Sequence, residues 1–551
     1  MKVYEAVARV LVDQGVTDVF GVMGDGNLKL IPHLTSTAGV RMVGARHEAA
    51  ALAMADGYAR TIGRVGVCTV TQGPGLTNTL TALISARKAR TPLVLLAGDT
   101  PHGVPGLPQD CDQDALLAAA GIPVQPFRAE TAAADVAAAF ERARRAPGPV
   151  AISMPTDVQD AEHAGAIPPP PTPVEADVVA PDPDQLAAAV ARLRTAERPI
   201  VLAGRGAVRA GAREAAIALA DAAGALLATS LPGKGYFDGH PWSLGICGGL
   251  ATPLGVELLR DADVVVVLGA SVNSFTSKAG SLFRPPTELI HVDADAGAIG
   301  AYTPATLAVV GDAGATAVQM RDALVAAGPC EGEGYRTAAV RARLDDFDLA
   351  QAHADASDGE ALDPRTVCAR LEELLPRDRS LVTDGGHFCG FPAGYLSVPE
   401  PSAFIFSLDF GSVGLGLGTA LGAAVARPDR LTVLGIGDGG LMMSLGDLET
   451  AGRYGIPLLV LVFDDGAYGA EMHFLRMLGL PEEQSLFPTP DLVGVAESVG
   501  VRGMRIRSLD DLEGLAAAAA DLSEPLLAHI TVNRDVRAEW LEEAFARTVG
   551  H

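Results

Sequence analysis

The stretch Leu431-Thr-Val-Leu-Gly-Ile436, followed by Gly437-Asp438-Gly439-Gly440, decides the fold of the last part of this 551-residue chain. Its apolar run predicts a buried strand, and the following stretch with Met442, Leu445 and Leu448 predicts an amphipathic helix. A strand, a glycine turn and a helix in this order can present backbone N–H groups to a diphosphate, while the Asp438 carboxylate is free to hold a divalent cation. Such turns are common, so this stretch alone does not establish a function.

A second apolar run, Leu458-Leu-Val-Leu-Val-Phe463, ends in Asp464-Asp465-Gly466-Ala467-Tyr468-Gly469, about 25 residues after Gly439. This spacing suits one helix and its return strand, which would bring the second acidic turn to a neighbouring strand end. Mg²⁺ binds about six oxygen atoms, and two carboxylates and one backbone carbonyl would supply part of that set. The alternative interpretation is a solvated turn without a ligand.

Composition excludes several classes of protein. At roughly 100 to 200 residues per domain, 551 residues predict about three domains. Lys and Arg number 42 against 67 Asp and Glu, and the formal charge of −25 would repel the phosphates of nucleic acid. The six cysteines are widely spaced with no C-x-x-C pair, which predicts reduced thiols rather than a zinc site or a disulfide framework.

Targeting and membrane segments are also not expected. Residues 1–15 have the period of an amphipathic helix and lack the uninterrupted apolar segment of a signal peptide. No apolar run approaches the ~18 residues that a membrane span requires. We therefore expect a cytoplasmic protein that binds neither nucleic acid nor membrane.

Short Val, Ile and Leu runs alternate with longer Ala- and Leu-rich stretches, which predicts parallel sheets covered by helices. The predicted strands are 65–70, 93–97, 199–203, 264–268, 380–383, 431–436 and 458–463. A proline-rich linker at 167–184 and a softer break at 330–364, which contains a predicted helix, divide the chain. We therefore predict an α/β fold of three consecutive doubly wound parallel-sheet domains, at residues 1–166, 185–329 and 362–551, with ligands beyond the carboxyl ends of the strands.

The two acidic turns resemble the cofactor motif of the thiamine-diphosphate enzymes, in which G-D-G is followed, at the spacing seen here, by N or N-N. Asp465 replaces the final Asn, which keeps an oxygen ligand and adds a negative charge. Further motifs of the family are Val19-Phe-Gly-Val-Met-Gly-Asp-Gly-Asn27, Arg46-His-Glu-Ala-Ala-Ala51, Asp56-Gly-Tyr-Ala-Arg60, Thr71-Gln-Gly-Pro-Gly-Leu-Thr-Asn78, Pro147-Gly-Pro-Val-Ala-Ile-Ser-Met-Pro155 and Gly411-Ser-Val-Gly-Leu-Gly-Leu-Gly418. Together they resemble the acetolactate synthase and 2-oxo acid decarboxylase branch, which implies a pyrimidine-binding, a central and a diphosphate-binding domain in this order.

The resemblance implies a set of cofactor and metal contacts. The side chains of Asp438 and Asp465 and the backbone carbonyl of Ala467 would bind Mg²⁺. Because Asp384-Gly-Gly-His387 follows a predicted strand, a diphosphate contact is expected there, although a structural histidine is the alternative. The other residues assigned to thiamine diphosphate are Gly73, Gly386, His387, Gly437, Gly439 and Gly440.

Three residues match catalytic positions of the family. Glu48 would hydrogen-bond to the pyrimidine ring of the cofactor and favour its reactive tautomer, and burial would raise its affinity for the shared proton. Val413 would wedge between the two rings, and the Gly411 carbonyl would accept a hydrogen bond from the pyrimidine amino group. On pattern alone, Glu48 would be a surface residue of an Ala-rich helix, and the glycines near Val413 would serve helix packing.

The resemblance implies decarboxylation of a 2-oxo acid, with pyruvate favoured, and transfer of the acyl anion equivalent to a carbonyl acceptor by an acetolactate synthase-like carboligase. The alternatives are a non-ligating 2-oxo acid decarboxylase, a 2-hydroxyacyl-CoA or oxalyl-CoA type lyase, and a non-catalytic cofactor-binding paralog. Asp25 resembles an acidic residue that handles protons in pyruvate decarboxylases, whose paired histidines are absent from residues 100–114. The other candidates for substrate contacts are Gln72, Gln113, His473 and, more distantly, His102.

Other features depart from the acetolactate synthases that bind FAD. Gly269-Ala-Ser-Val-Asn-Ser-Phe275 lacks their Arg-Phe-Asp-Asp-Arg run, Thr156 replaces a lysine, and no tryptophan follows the metal motif. Gly204-Arg-Gly206 is a lone glycine turn, so FAD is doubtful as a cofactor. The family architecture implies a homodimer or homotetramer with its sites where two subunits meet.

Overall fold

The computed structural model describes residues 1–170, 178–331 and 334–541. Residues 171–177 in the middle of the predicted linker, 332–333 in the second break, and 542–551 at the end of the predicted third domain lie outside the described residues. The described residues form three parallel sheets, each between helices, which confirms the predicted fold class.

The first sheet has five parallel strands in the order β2-β1-β3-β4-β5. Side chains along β4 point alternately into one apolar cluster and another, so both faces of the sheet are covered. The strands are β1 (Asp18–Gly21), β2 (Arg41–Gly44), β3 (Gly66–Val70), β4 (Leu93–Asp99) and β5 (Pro149–Pro155). The helices are α1 (Val3–Asp13), α2 (Leu30–Ser36), α3 (Glu48–Ile62), α4 (Pro74–Thr77), α5 (Leu80–Lys88), α6 (Gln113–Ala119), α7 (Ala132–Arg145) and α8 (Thr156–Asp160).

The second sheet has six parallel strands in the order β11-β10-β9-β6-β7-β8, which is the order of a dinucleotide-binding fold. Its central strand β9 is the valine run of the sequence and is buried throughout. The strands are β6 (Pro199–Ala203), β7 (Leu226–Thr229), β8 (Ser243–Ile246), β9 (Val264–Leu268), β10 (Glu288–Asp293) and β11 (Leu307–Val310). The helices are α9 (Pro183–Thr195), α10 (Arg205–Arg209), α11 (Arg213–Ala223), α12 (Pro253–Arg260) and α13 (Ala313–Ala326), and α14 (Ala338–Asp346) lies in the second break.

The third sheet has six parallel strands in the order β13-β12-β14-β15-β17-β16. The strands are β12 (Arg379–Thr383), β13 (Phe404–Phe406), β14 (Leu431–Gly437), β15 (Leu459–Asp464), β16 (Arg502–Ile506) and β17 (Leu526–Thr531). The helices are α15 (Pro364–Leu374), α16 (Gly390–Tyr395), α17 (Gly416–Ala426), α18 (Asp438–Ser444), α19 (Leu448–Tyr454), α20 (Gly469–Leu478), α21 (Leu492–Ser498) and α22 (Asp511–Ala520).

The stretch after Gly440 differs from the amphipathic helix that its pattern predicts. A 3₁₀ turn at Leu445–Asp447 separates α18 from α19, so Met442, Leu445 and Leu448 do not share one buried face. Leu448 is buried, whereas Met442 is 44% exposed. The short α18 therefore leaves apolar side chains open to solvent beside the Gly-Asp-Gly turn.

Helices α3 and α17 join the first domain to the third through direct backbone contact. A Cβ atom added at Gly57 of α3 would lie 2.0 Å from the carbonyl oxygen of Thr419, and one at Gly422 of α17 would lie 1.9 Å from that of Met54. One continuous apolar cluster runs from the first sheet through both helices into the third sheet. The absence of side chains at these glycines therefore fixes how closely the two domains approach.

Two further findings concern membrane-spanning helices and the state of the cysteines. Within the described ranges, no helix is both long and apolar enough to cross a membrane. All six cysteines lie in the described part of the chain and are free thiols, as their spacing predicts.

Replacing Gly57 by Ala should lower the thermal unfolding midpoint, because the added Cβ would collide with backbone rather than with a mobile side chain. Overpacking of this kind costs about 1–3 kcal/mol. The matched control is Gly394→Ala in α16, where a Cβ would have no neighbour within 4 Å. Helix propensity should leave that variant unchanged or slightly more stable, and equal losses in both variants would contradict the close-contact interpretation.

Candidate functional site

Most of the predicted site residues lie near the switch points of two sheets. A switch point is the place where successive strands begin to be added on the opposite side of the first strand. In the third sheet, this switch point lies between β12 and β14, and in the first sheet it lies between β1 and β3. Loops at the carboxyl ends of such strands form a crevice that binds ligands in open α/β sheets. In the third sheet, the loops after β12, β14 and β15 carry most of the diphosphate candidates and the metal candidates, and His473 lies on the following helix α20. The loops at the switch point of the first sheet carry Asp25 and Gln72, and Gln113 begins α6 of the same domain.

Three carboxylates converge beyond β14 and β15. Asp438, Asp464 and Asp465 are all buried. The hydroxyl of Thr489 donates to Asp464 at 2.6 Å and lies 3.2 Å from Asp438, so it ties the two acidic turns together. The order of the strands makes this convergence possible, because β14 and β15 are adjacent and parallel.

The cluster concentrates negative charge away from water. Burial, then the charges of Asp465 and Asp464, raise the pKa of Asp438 to about 8. Burial alone would also raise the pKa of Asp464, but hydrogen bonds from His529 and Thr489 lower it. A divalent cation would supply the positive charge that offsets the repulsion among these buried carboxylates.

The donor set fits Mg²⁺ only if backbone oxygen takes part. Across residues 1–170, 178–331 and 334–541, no group of three or more His, Cys, Asp or Glu side chains has the arrangement of a metal site. The set implied by the sequence uses just two carboxylates, Asp438 and Asp465, with the carbonyl of Ala467. Asp465 holds that turn in place, because its Oδ1 accepts the N–H of Ala467 at 3.0 Å.

Two buried histidines face the same cluster. Nε2 of His387 lies 3.1 Å from Oδ2 of Asp465, and the His387 and His473 rings are 4.9 Å apart in an edge-to-face arrangement. Burial, with the positive charges nearby, lowers the pKa of His473 to about 4, so this side chain is neutral at pH 7. Nδ1 of His387 and Nε2 of His473 are buried and have no hydrogen-bond partner among the residues that the structure describes. These two unpaired atoms fit a polar ligand in the crevice, such as a diphosphate.

The loop that carries Gly411 and Val413 lies on the other side of the crevice. Asp384, buried after β12, accepts hydrogen bonds from the N–H groups of Gly414 at 2.9 Å and Gly416 at 2.9 Å. Gly440 lets the Gly-Asp-Gly turn approach this carboxylate, since a Cβ there would lie 2.3 Å from its Oδ2. Val413 itself is 38% exposed, so its side chain is available to a ligand.

Glu48 lies on the first domain as the first residue of α3. It is half-buried, and its Oε2 accepts a hydrogen bond from the Asn78 amide at 2.9 Å. The helix start is capped by His47, whose Nδ1 accepts the N–H of Ala49. Glu48 is therefore held in a defined orientation and is not the freely solvated residue of the alternative interpretation.

The remaining substrate candidates form a hydrogen-bonded network at the first switch point. Gln72 donates to Oδ2 of Asp25 at 3.0 Å, and the Thr71 hydroxyl donates to Oδ1 at 3.0 Å. Gln113 is buried, accepts the N–H of Gly73 at 2.9 Å and donates to the Gly98 carbonyl at 3.0 Å. Both ends of the Gln113 amide are thus used within its own domain, and Asp25 is the exposed member of the network.

His102 lies outside this network. It is exposed and pairs with Asp157 at 3.0 Å beside a cavity of about 600 Å³. Sequence reasoning missed four residues that hydrogen-bond to the predicted site residues or to the loops that carry them. They are Thr489, His529, Asp384 and Asn78. Asp384 and Asn78 stand inside quoted motifs and could have been found there, whereas Thr489 and His529 lie far along the chain with no local signal.

Replacing Asp438 by Asn should abolish the stabilisation of the protein by Mg²⁺, because one of the two carboxylate ligands is lost. A ligand at one hundred times its Kd stabilises a protein by about 2.7 kcal/mol. Thermal unfolding with and without MgCl₂ and thiamine diphosphate measures this difference. Asp447→Asn is the matched control, since Asp447 is a buried carboxylate that bonds to Arg46 and Thr450. An undiminished Mg²⁺ response in Asp438→Asn would refute the assignment.

Comparison with known proteins gives matches along the whole chain. Residues 1–116 match the family described as "Thiamine pyrophosphate enzyme, N-terminal TPP binding domain", residues 186–320 its central domain, and residues 384–530 its C-terminal TPP binding domain. The chain is 30% identical over 555 residues to the "Probable acetolactate synthase large subunit" of Methanocaldococcus jannaschii, covering 97% of this chain and 92% of that protein.

The names of two other similar proteins describe reactions other than acetolactate synthesis. The sulfoacetaldehyde acetyltransferase of Castellaniella defragrans is 30% identical over 553 residues, covering 94% of this chain and 90% of that protein. The structure of the thiamine diphosphate-dependent 4-hydroxybenzoylformate decarboxylase of Rhodococcus jostii RHA1 has a TM-score of 0.81 at 25% identity, covering 97% of this chain and 99% of that chain. Matches to all three domains in order, with identity of 30% along nearly the full length, show that this chain belongs to the thiamine-diphosphate-dependent enzyme family, in its acetolactate synthase and 2-oxo acid decarboxylase branch.

Proposed function

We propose that this enzyme decarboxylates a 2-oxo acid, with pyruvate favoured, and transfers the acyl unit to a carbonyl acceptor, using thiamine diphosphate and Mg²⁺. The observation that carries the proposal is the group of buried carboxylates beside the Val413 loop in the third domain. Asp438 and Asp465 follow the adjacent strands β14 and β15, and a Cβ on Gly440 of the first acidic turn would lie 3.4 Å from Cγ1 of Val413. When bound, thiamine diphosphate supplies the carbon nucleophile that attacks the ketone and accepts the electrons left by carbon dioxide.

The protein residues hold and activate the cofactor in this proposal. Asp438, Asp465 and the Ala467 carbonyl bind Mg²⁺, while His387 and the Gly437–Gly440 turn contact the diphosphate. Val413 and the Gly411 carbonyl set the relative position of the two rings. The carboxyl group of Glu48, oriented by Asn78, shares a proton with the pyrimidine ring.

The outcome after decarboxylation depends on proton donors near the reacting carbon. His473 is neutral at pH 7 because burial, with the positive charges nearby, lowers its pKa to about 4, so it has no imidazolium proton to donate. Gln113 is committed to hydrogen bonds within its domain. Because neither of these two residues supplies a proton, capture by a second carbonyl is favoured over protonation. The acetyltransferase and acetolactate synthase names of two relatives support the same direction.

We infer that a second copy of the chain completes each site in a homodimer or homotetramer. Glu48 and the metal turn lie on different domains, and the loops around both half-sites expose large apolar side chains in the single chain. These side chains are Met23, Leu28, Phe410, Met442, Met443 and Tyr468. Apolar surface rimming a polar crevice is typical of a contact with another protein surface.

FAD is not part of the proposal. The switch point of the second sheet lies between β6 and β9, where a dinucleotide would bind. There the Gly206 N–H donates to the Gly269 carbonyl at 2.8 Å, and a Cβ on Gly204 would lie 2.4 Å from that of Ala270. The two turns pack directly on each other and leave no opening for a pyrophosphate at this point.

A non-ligating 2-oxo acid decarboxylase is the second candidate. The similarity to the 4-hydroxybenzoylformate decarboxylase, with a TM-score of 0.81, supports it. Exposed Asp25, at the first switch point, is the acid that such a reaction would use.

Product analysis separates the candidates. The enzyme is incubated with pyruvate alone and with pyruvate plus an added aldehyde, and the products are identified by nuclear magnetic resonance. We expect a coupled hydroxy ketone or hydroxy acid. Free acetaldehyde without any coupled product would favour the decarboxylase. Tight cofactor binding without turnover of any member of a 2-oxo acid panel would favour a non-catalytic paralog.

Replacing Glu48 by Gln should lower turnover by at least ~100-fold, the scale of a lost acid–base contribution, because the amide cannot share a proton with the pyrimidine ring. Thiamine diphosphate should still bind with an affinity within a few-fold of the wild-type value, because the metal turn is intact. Calorimetric titration and steady-state rates measure the two effects. Glu449→Gln, which alters a carboxylate paired with Arg46 at the same contact between domains, is the control. Unchanged turnover in Glu48→Gln would sink the assignment.

A further inference from the structure

A group of partly and fully buried charges lies where the three domains meet. Arg60, near the end of α3, donates Nε–H to Asp56 and to the Thr91 hydroxyl, each at 3.1 Å. Its Nη2 donates to Oδ2 of Asp409 in the third domain at 2.8 Å, and its Nη1 donates to the Phe406 carbonyl at 3.3 Å. Burial opposes the charge on Arg60, but Asp56 and Asp409 outweigh it and raise its pKa.

The second domain reaches the same group through Arg205, the first residue of α10. Nη1 of Arg205 donates to the Ala89 carbonyl of the first domain at 2.5 Å, and its Nη2 lies 3.5 Å from Oδ1 of Asp409. Each carboxylate oxygen of Asp409 therefore faces a different arginine, one from each neighbouring domain. Since both arginines are at most one-third exposed, water screens these contacts less than it would on an open surface.

Arg205 keeps this position because the turn before it cannot move. Gly204 and Gly206 pack on the Gly269–Ala270 turn with backbone contacts too close for any side chain. The crevice that other folds of this strand order use for a dinucleotide is here filled by backbone. The glycine turn instead points an arginine at the third domain.

Asp409 begins the loop that carries Gly411 and Val413. At the other end of this loop, Asp384 accepts the N–H groups of Gly414 and Gly416. A carboxylate thus anchors each end, one in contact with its own domain and one in contact with both other domains. Between the anchors, Gly411 has φ of +78° and Val413 is 38% exposed.

We propose that Arg205 and Asp409 are positioning residues that fix the start of the 409–416 loop. They thereby set the position of Gly411 and Val413 relative to the two rings of thiamine diphosphate. This inference rests on the proposed function of that loop. Without the Asp409 carboxylate, neither Arg60 nor Arg205 would hold the start of the loop, which would then pivot about Asp384. Displacements of about 1 Å in a catalytic arrangement cost on the order of 100-fold in rate.

Two variants and a matched control test the proposal. Asp409→Asn removes the shared carboxylate charge, and Arg205→Gln removes the contact from the second domain. The control is Arg209→Gln, because Arg209 lies on the same helix and also bonds to the first domain, through the Arg90 carbonyl at 2.8 Å. Arg209 makes no hydrogen bond with Asp409 among the described contacts, so it separates loss of a domain contact from loss of the anchor.

Three measurements are made on the full-length protein. Hydrogen–deuterium exchange of the 409–416 amides, followed by mass spectrometry without cofactor, reports the mobility of the loop. Calorimetry gives the Kd of thiamine diphosphate with Mg²⁺. The rate at which bound thiamine diphosphate exchanges its thiazolium C2 proton reports cofactor activation without any substrate.

We expect Asp409→Asn to exchange the 409–416 amides faster and to slow C2 exchange by at least ~10-fold, with the Kd changed only a few-fold. Arg205→Gln should shift both rates in the same direction by a smaller factor, because Arg60 still holds Asp409. Arg209→Gln should match the wild-type protein in all three. Wild-type behaviour of both variants, or equal effects in the control, would overturn the proposal. A wild-type protein that binds no thiamine diphosphate would instead refute the proposed function, and the loop exchange would still show whether the ion pair holds the loop.

Discussion

The site depends on three carboxylates that the fold places together away from water. Asp438, Asp464 and Asp465 come from the ends of two adjacent parallel strands, and burial, together with the charges of Asp465 and Asp464, raises the pKa of Asp438 to about 8. The arrangement is unfavourable in isolation, which is the expected property of a site completed by a cation. Thr489 and His529 reduce the repulsion by hydrogen-bonding to the same cluster.

In the proposed function, the second essential carboxylate lies at the start of a helix in a different domain. Glu48 begins α3, and the rest of that helix packs backbone to backbone on α17, which follows the Val413 loop. The position of the carboxylate is therefore coupled to the third domain of the same chain even though its own hydrogen bond is to Asn78. Helices and strands thus hold Glu48 and the acidic turns in position, and the candidate ligand contacts come from short loops at the strand ends.

Much of this arrangement could be predicted from sequence. The apolar runs gave the central strands within one or two residues, because strands buried on both faces need uninterrupted Val, Ile and Leu. The convergence of Asp438 with Asp464 and Asp465 followed from the sequence because each acidic turn directly follows an apolar run. The interruption between α18 and α19 did not follow from it, since the 3₁₀ turn depends on packing rather than on period. Sequence also gave no sign that Gln113 is used inside its domain, or that Arg205 and Asp409, about two hundred residues apart, face each other.

The glycine contacts between α3 and α17 also constrain how such proteins can be recombined. Gly57 lies on the carbonyl of Thr419, and Gly422 lies on that of Met54, so each helix carries half of a complementary surface. A chimaera that takes its first domain from one relative and its third from another would pair surfaces that were never fitted to each other. The two outer domains would therefore have to be exchanged together, and a substituted middle domain would have to keep an arginine at the position of Arg205.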